Sequence, residues 1–213
     1  MSGEATTHRG AGRPRDEGLG ARRSSEILEA AIGFFARHGY LDADIQVLAD
    51  LLKVGKGTIY RYFPSKEALF FAAVDHGMNL LRETVDGAAA RAESPLASIE
   101  TAICAYLEFF DAHPEIVELF IQERANFRDR PKPTYFVHKE AGMDKWHDLL
   151  RGLIQSGVMR DVPIERITEV ISHLVYGTMF TNYFQGRTIP VSRQCEDILD
   201  VVFHGLLREG AKT

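Results

Sequence analysis

Asp44 to Phe63 reads DIQVLADLLKVGKGTIYRYF. Ile45, Leu48, Ala49 and Leu52 stand at i, i+3, i+4 and i+7, the apolar face of a helix of about nine residues, with Asp44 placed to cap its start. After a break at Leu52 to Gly55 a second helix follows, on which Ile59 and Phe63 are four apart and so share the inward side. Winding that helix from Ile59 turns Gly57 and Arg61 outward, flanked by Thr58 and Tyr60, with Lys56 in the first turn.

Two short helices joined by a tight turn suit the major groove of DNA. A helix entering that groove brings its first turns close to base edges, and Gly57 removes a side chain where the approach is tightest. Lys56, Thr58, Tyr60 and Arg61 then meet phosphates, with Tyr62 beside them. Periodicity alone does not separate this from an ordinary helical hairpin.

The wording of the segment is more specific than its spacing. Ile27-Leu28-Glu29-Ala30-Ala31, Phe35, Gly39-Tyr40, Leu48-Ala49, Val54, Lys56-Gly57-Thr58-Ile59-Tyr60 and Phe63-Pro64-Ser65-Lys66-Glu67-Ala68-Leu69-Phe70 together resemble the N-terminal domain of TetR-family transcriptional regulators. The resemblance implies an all-α chain: a three-helix, helix-turn-helix DNA-binding domain over 23–67, then a helical ligand-binding and dimerisation domain over 68–213, about nine helices in all. It also places Lys66 at a DNA phosphate. Two positions depart from the family's usual pattern. Lys53 stands where the tight turn usually has glycine, and Gly55 where the recognition helix usually has a serine cap. A lysine held at positive φ costs roughly 1–2 kcal/mol, and a glycine cap forfeits the side-chain hydrogen bond.

Composition agrees once it is divided. The 213-residue chain carries a net charge of −5, yet residues 1–66 hold ten Lys/Arg against eight Asp/Glu while 67–213 hold fifteen against twenty-two. DNA contact is therefore expected at the N-terminal end only. No apolar run approaches 18 residues and the start lacks an apolar signal-peptide core, so a cytoplasmic protein with no membrane span is expected. Cys104 and Cys195 sit in apolar helical patterns and read as small core hydrophobes of a reducing compartment.

In chain order, residues 1–22 lack apolar periodicity and read as a disordered basic arm. Within it Arg13 and Arg15, on the proline-stiffened Gly12-Arg13-Pro14-Arg15, suit a narrow minor groove; a solvated tail is the plainer alternative. A first helix starts near Ser24 or Ser25 and ends at His38 with Gly39 beyond it, burying Ile27, Ala31, Phe34 and Phe35. Ser65 caps a helix reaching about Arg91, the mechanical link between domains, in which Gly77 and Gly87 mark a bend. Ser94-Pro95 opens the next helix, and His113-Pro114 another that runs to about Phe127. Tyr135 to Ser156 reads as one helix. The last two helices, from Asp161-Val162-Pro163 to about Gly186 and from Ser192 to about Glu209, carry more apolar surface than one side can bury, so each is expected to meet its copy in a second subunit. TetR-family dimers resemble that arrangement.

An aromatic-rich helical domain suggests a ligand pocket, for which Phe110, Phe120, Arg124, Trp146, His173, Tyr176 and Phe180 are the candidate lining; core packing is the plainer reading for any one of them. Arg128, Arg130 and Lys132 form either a head-group-binding loop or a solvated one. Glu140, Asp144 and His147 share a helix face without the second His-carboxylate set that a metal site requires, so neither metal nor cofactor is expected. No Ser/His/Asp constellation or phosphate loop supports an enzyme, which stays the remote alternative. The reading is a homodimeric repressor on a pseudo-palindromic, double-stranded operator, released by an unidentified, largely apolar effector. An activator or a ligand-independent regulator is the alternative.

Overall fold

The fold begins from capped, amphipathic helices, and a computed structural model describes residues 17–206 of the chain. Ten helices and no strand lie among them: α1 Glu17–His38, α2 Ile45–Leu51, α3 Lys56–Tyr62, α4 Lys66–Ala89, α5 Pro95–Ala112, α6 Pro114–Asn126, α7 Thr134–Ala141, α8 Asp144–Gln155, α9 Ile164–Gln185 and α10 Val191–Leu206.

Most boundaries sit at the chemistry that sets them. Asp44 accepts the Gln46 N–H at 2.8 Å, Ser65 that of Ala68 at 3.0 Å, and Ser94 that of Ala97 at 3.1 Å, with Pro95 in the first turn of α5. Each satisfies one orphan donor of a helix start. Gly39, Gly157 and Gly186 end α1, α8 and α9 at φ of 75°, 76° and 72°, in the left-handed region that glycine enters without steric cost.

Two expectations about the helices need correction. α1 starts at Glu17 rather than near Ser24, so residues 17–22 are helical. Ala21, Arg22 and Arg23 are good helix formers, and Arg23 pairs with Glu26 one turn on at 2.7 Å. The helix expected over Tyr135 to Ser156 is two, parted at Gly142 and Met143, which accounts for ten helices in place of nine. The start of α7 is held from a distance, because the buried Glu123 carboxylate accepts both the backbone N–H and the hydroxyl of Thr134. α4 is one helix through Gly77 and Gly87, and Gly77 serves a close crossing: a Cβ there would stand 3.2 Å from Ile116 of α6.

Two apolar clusters share the burial. In the first, Ile27, Ala31, Phe34 and Phe35 of α1 meet Leu48 and Ala49 of α2, Ile59 of α3 and Phe70 of α4, and the same cluster continues into Ile116, Leu119 and Phe120 of α6. The second gathers Ile99, Ile103 and Leu107 of α5 with Leu150 and Leu153 of α8, Ile167 and Val175 of α9, and Cys195, Ile198 and Val202 of α10. Packed in this way, α5 carries α9 and α10 on its flank. The cysteines join there. Cys104 and Cys195 form a disulfide with Cα atoms 5.5 Å apart, where free thiols were expected. Linear spacing conceals the pairing, since only the docking of α10 on α5 closes a sequence separation of 91.

One side of each C-terminal helix stays uncovered. Val170, His173, Gly177, Thr181 and Phe184 make a continuous exposed stripe along α9, spaced by threes and fours. On α10 Val201 is 71% exposed.

Candidate nucleic-acid interface and the cavity behind it

α3 is seated by its inner residues. Ile59 is fully buried and Phe63 nearly so, while Gly57, Tyr60 and Arg61 are exposed and Lys56, Thr58 and Tyr62 half-exposed. A Cβ at Gly57 would meet nothing within 4 Å, so the fold itself does not require glycine there. Gly55 stands at the start of α3 without a side-chain cap bond, leaving its first N–H groups pointed outward.

Before α3, Lys53 adopts φ of 54°, the one non-glycine positive φ among the described residues. The turn keeps its left-handed geometry although the residue pays for it in sterics. The Val54 N–H donates to the Ala49 carbonyl at 2.9 Å and closes α2.

The cations of this face are partly engaged. Lys56 reaches Asp44 at 3.4 Å; the Gln46 N–H, and then this ammonium, hold the Asp44 carboxyl below the usual carboxylate range. The Arg61 guanidinium lies 5.4 Å from the Tyr62 ring centroid. Lys66 donates to the Leu41 carbonyl at 2.8 Å and sits 5.1 Å from the Tyr40 ring centroid, so it clamps the α1–α2 loop to the first turn of α4. An ammonium has three donors, and two remain for another acceptor. Arg13 and Arg15 lie outside the described residues.

Behind this face, α4 leads to a cavity of about 200 Å³. Met78, Leu81, Arg82, Val85 and Asp86 of α4 form one wall, and Ile99, Ile103 and Tyr106 of α5 another. Tyr135, His138 and Lys139 of α7, Lys145, Trp146 and Leu150 of α8, and Thr168, Ile171, Ser172 and Val175 of α9 complete it. Deep in the domain the Tyr106 and Tyr135 hydroxyls are 2.9 Å apart. Burial raises both above the ordinary phenol range, Tyr135 to about 12.

The residues expected to line one pocket divide. Trp146 lines this cavity, whereas Phe120, Arg124, Tyr176 and Phe180 border a second hollow between α6, α7 and α9. Phe110 is core, 5% exposed and stacked edge-on against Phe109. His173 borders neither hollow and faces outward on the α9 stripe. Aromatic count could not sort them, because membership depends on which side of each helix its neighbours cover. The signal missed was on α4: Met78, Leu81, Arg82 and Val85 fall at i, i+3, i+4 and i+7, an apolar stripe interrupted by one cation.

Four of the loop and helix groups named as alternatives, Arg130, Lys132, Glu140 and His147, find partners within the chain. Arg130 pairs with buried Glu123 at 3.2 Å and lies 4.1 Å from the Phe71 ring centroid, and Lys132 reaches Glu140 at 2.5 Å. His147 stands 3.5 Å from the Thr168 hydroxyl.

Known proteins carry the same plan. Residues 27–73 match the family model described as bacterial regulatory proteins, tetR family. Over 183 residues the chain is 30% identical to the HTH-type transcriptional repressor NicS of Pseudomonas putida, covering 84% of each. It is 24% identical over 194 residues to the HTH-type transcriptional repressor KstR2 of Mycobacterium tuberculosis, covering 88% of this chain and 94% of that one. The solved structure of KstR2, described as a ketosteroid transcriptional regulator, superposes with a TM-score of 0.65 at 21% identity, covering 94% of this chain and 100% of that one.

Proposed function

The chain belongs to the TetR family and is a DNA-binding transcriptional regulator, and from that premise we propose that it acts as a homodimeric repressor released from its operator by a small, largely apolar effector. The observation that carries the proposal is the span of α4. Its first turn holds the α1–α2 loop through Lys66, and its middle supplies five residues of the cavity wall. A ligand that fits one placement of this wall better than another biases the position of the helix-turn-helix by that difference in affinity. DNA and effector affinities are then reciprocally coupled.

In this reading Lys56, Gly57, Thr58, Tyr60, Arg61 and Tyr62 face the major groove, Lys66 a phosphate, and Arg13 and Arg15 the minor groove beside it. Each subunit reads half of a pseudo-palindrome, the half-sites lying about one helical turn apart. The uncovered stripe on α9, with Val201 of α10, supports pairing of the last two helices with their copies. Gly177, beside which a Cβ would meet nothing within 4 Å, leaves room for a close helix crossing. No described helix is long and apolar enough to cross a membrane, which fits a cytoplasmic regulator. The two relatives above are named repressors, which favours repression over activation.

The test is a footprint of the full chain on the promoter of its own gene and of its neighbours. A protected pseudo-palindrome is expected, with occupancy lost in the double variant Lys56→Glu, Arg61→Glu. Retention of full occupancy in that variant rejects the reading of α3. Sedimentation of the full chain as a monomer rejects the dimer.

A further inference from the structure

The wall of the cavity is apolar, but its formal charges are not balanced. Arg82, Lys139 and Lys145 stand against Asp86 alone, and His138 lies beside them. Two of these are already committed. His138 meets Asp75 at 2.9 Å, and Lys145 pairs with Asp86. These two pairs clasp the stretch from α7 to α8 against α4 at either end. Between the clasps, Arg82 lies on the α4 side and Lys139 on the other. Neither makes an ion pair among the described residues; Arg82 reaches only the neutral Asn79, at 3.0 Å. Arg82 is exposed and Lys139 half-buried, and both line a hollow whose wall also carries Ile103, Tyr106 and Val175.

We infer that the effector is an anionic amphiphile, its carboxylate or phosphate head held by Arg82 and Lys139 and its short apolar body enclosed beneath. The inference rests on the cavity being the effector site. Two cations that line one hollow from different helices, neither of them ion-paired among the described residues, leave positive charge there that an anion neutralises. An anion there makes charge-assisted hydrogen bonds to both. A cationic amphiphile meets the same pair with the wrong sign, and an alcohol gains only a neutral bond. The body must be modest, since a cavity of about 150 Å³ already accommodates benzene. Such a ligand also bridges α4 to α7, the contact through which its binding reaches the helix that carries Lys66.

The chain's single tryptophan, Trp146, lines the cavity, so its emission reports occupancy. Octanoate, octyl phosphate, octan-1-ol and octyltrimethylammonium, matched in body and differing in head, are titrated into the full chain and into Arg82→Gln, Lys139→Gln. At least one anion is expected to bind about tenfold or more tightly than the alcohol, with the ammonium weakest. Which anion leads identifies a carboxylate or a phosphate head. The double variant loses the preference, its affinity for the anions falling far more than that for the alcohol, and Arg82→Glu, Lys139→Glu turns the preference toward the ammonium. Alcohol or ammonium binding as well as both anions, a preference surviving in the Gln variant, or no emission change with any probe overturns the inference. If the anions bind as expected and promoter affinity does not change, the release mechanism falls while the head-group assignment stands.

Discussion

The side-chain amide of Gln122 donates to the main-chain carbonyl of Phe35 at 2.9 Å, tying α6 to the end of α1 across 87 residues of sequence. The same amide donates to Glu118 at 3.0 Å, and Glu118 accepts the hydroxyl of Tyr183 on α9. A polar line thus runs from the helix that backs the recognition helix to one whose outer face is uncovered. Gln122→Leu is expected to lower the unfolding free energy by only about 1 kcal/mol, because the Phe35 carbonyl keeps its bond from the Gly39 N–H. Urea denaturation measures that loss. The effector-dependent change in promoter affinity is expected to shrink more than stability does.

At Gly57 two effects of one substitution should oppose each other. Alanine there meets no atom of the chain and raises helix propensity, so Gly57→Ala is expected to gain up to about 1 kcal/mol of stability. Its promoter affinity should fall roughly tenfold, the equivalent of about 1.4 kcal/mol, as the methyl obstructs groove approach. Thermal unfolding and promoter titration on the same preparation separate the two.

Breaking the Cys104–Cys195 bond releases a loop of about 90 residues in the unfolded chain. The chain-entropy model gives a loss of about 4–5 kcal/mol on reduction. Dithiothreitol should therefore lower the urea midpoint of the wild type markedly and leave that of Cys104→Ala, Cys195→Ala unmoved.

Tyr106 and Tyr135 set an alkaline limit. Burial raises the folded-state pKa of each above the phenol value of 10, Tyr135 to about 12. The folded state holds these protons more tightly than the unfolded one, so the stability they contribute is complete below pH 10 and is lost as pH rises toward 12. For Tyr135 that amounts to about 2–3 kcal/mol. Denaturation midpoints at successive pH values should decline across this window, and Tyr135→Phe should flatten the decline.

What local order can encode was readable before any tertiary contact was known. The helix-turn-helix, the caps at Asp44, Ser65 and Ser94, the stop at Gly39 and the inward pair Ile59 and Phe63 all follow from spacings of a few residues, because backbone donors and the 3.6-residue period act over one or two turns. The break at Gly142 and the early start of α1 escaped because single-residue propensities, at most about 1 kcal/mol outside proline, do not decide a boundary without neighbours. Tertiary structure alone decided the rest: that Cys195 lies against Cys104, that Gly77 admits Ile116, that Trp146 shares a cavity with Arg82 while Phe110 is core. Each of these depends on which side of one helix another covers, and that choice is made by packing between segments tens of residues apart, where no short-range period carries the information.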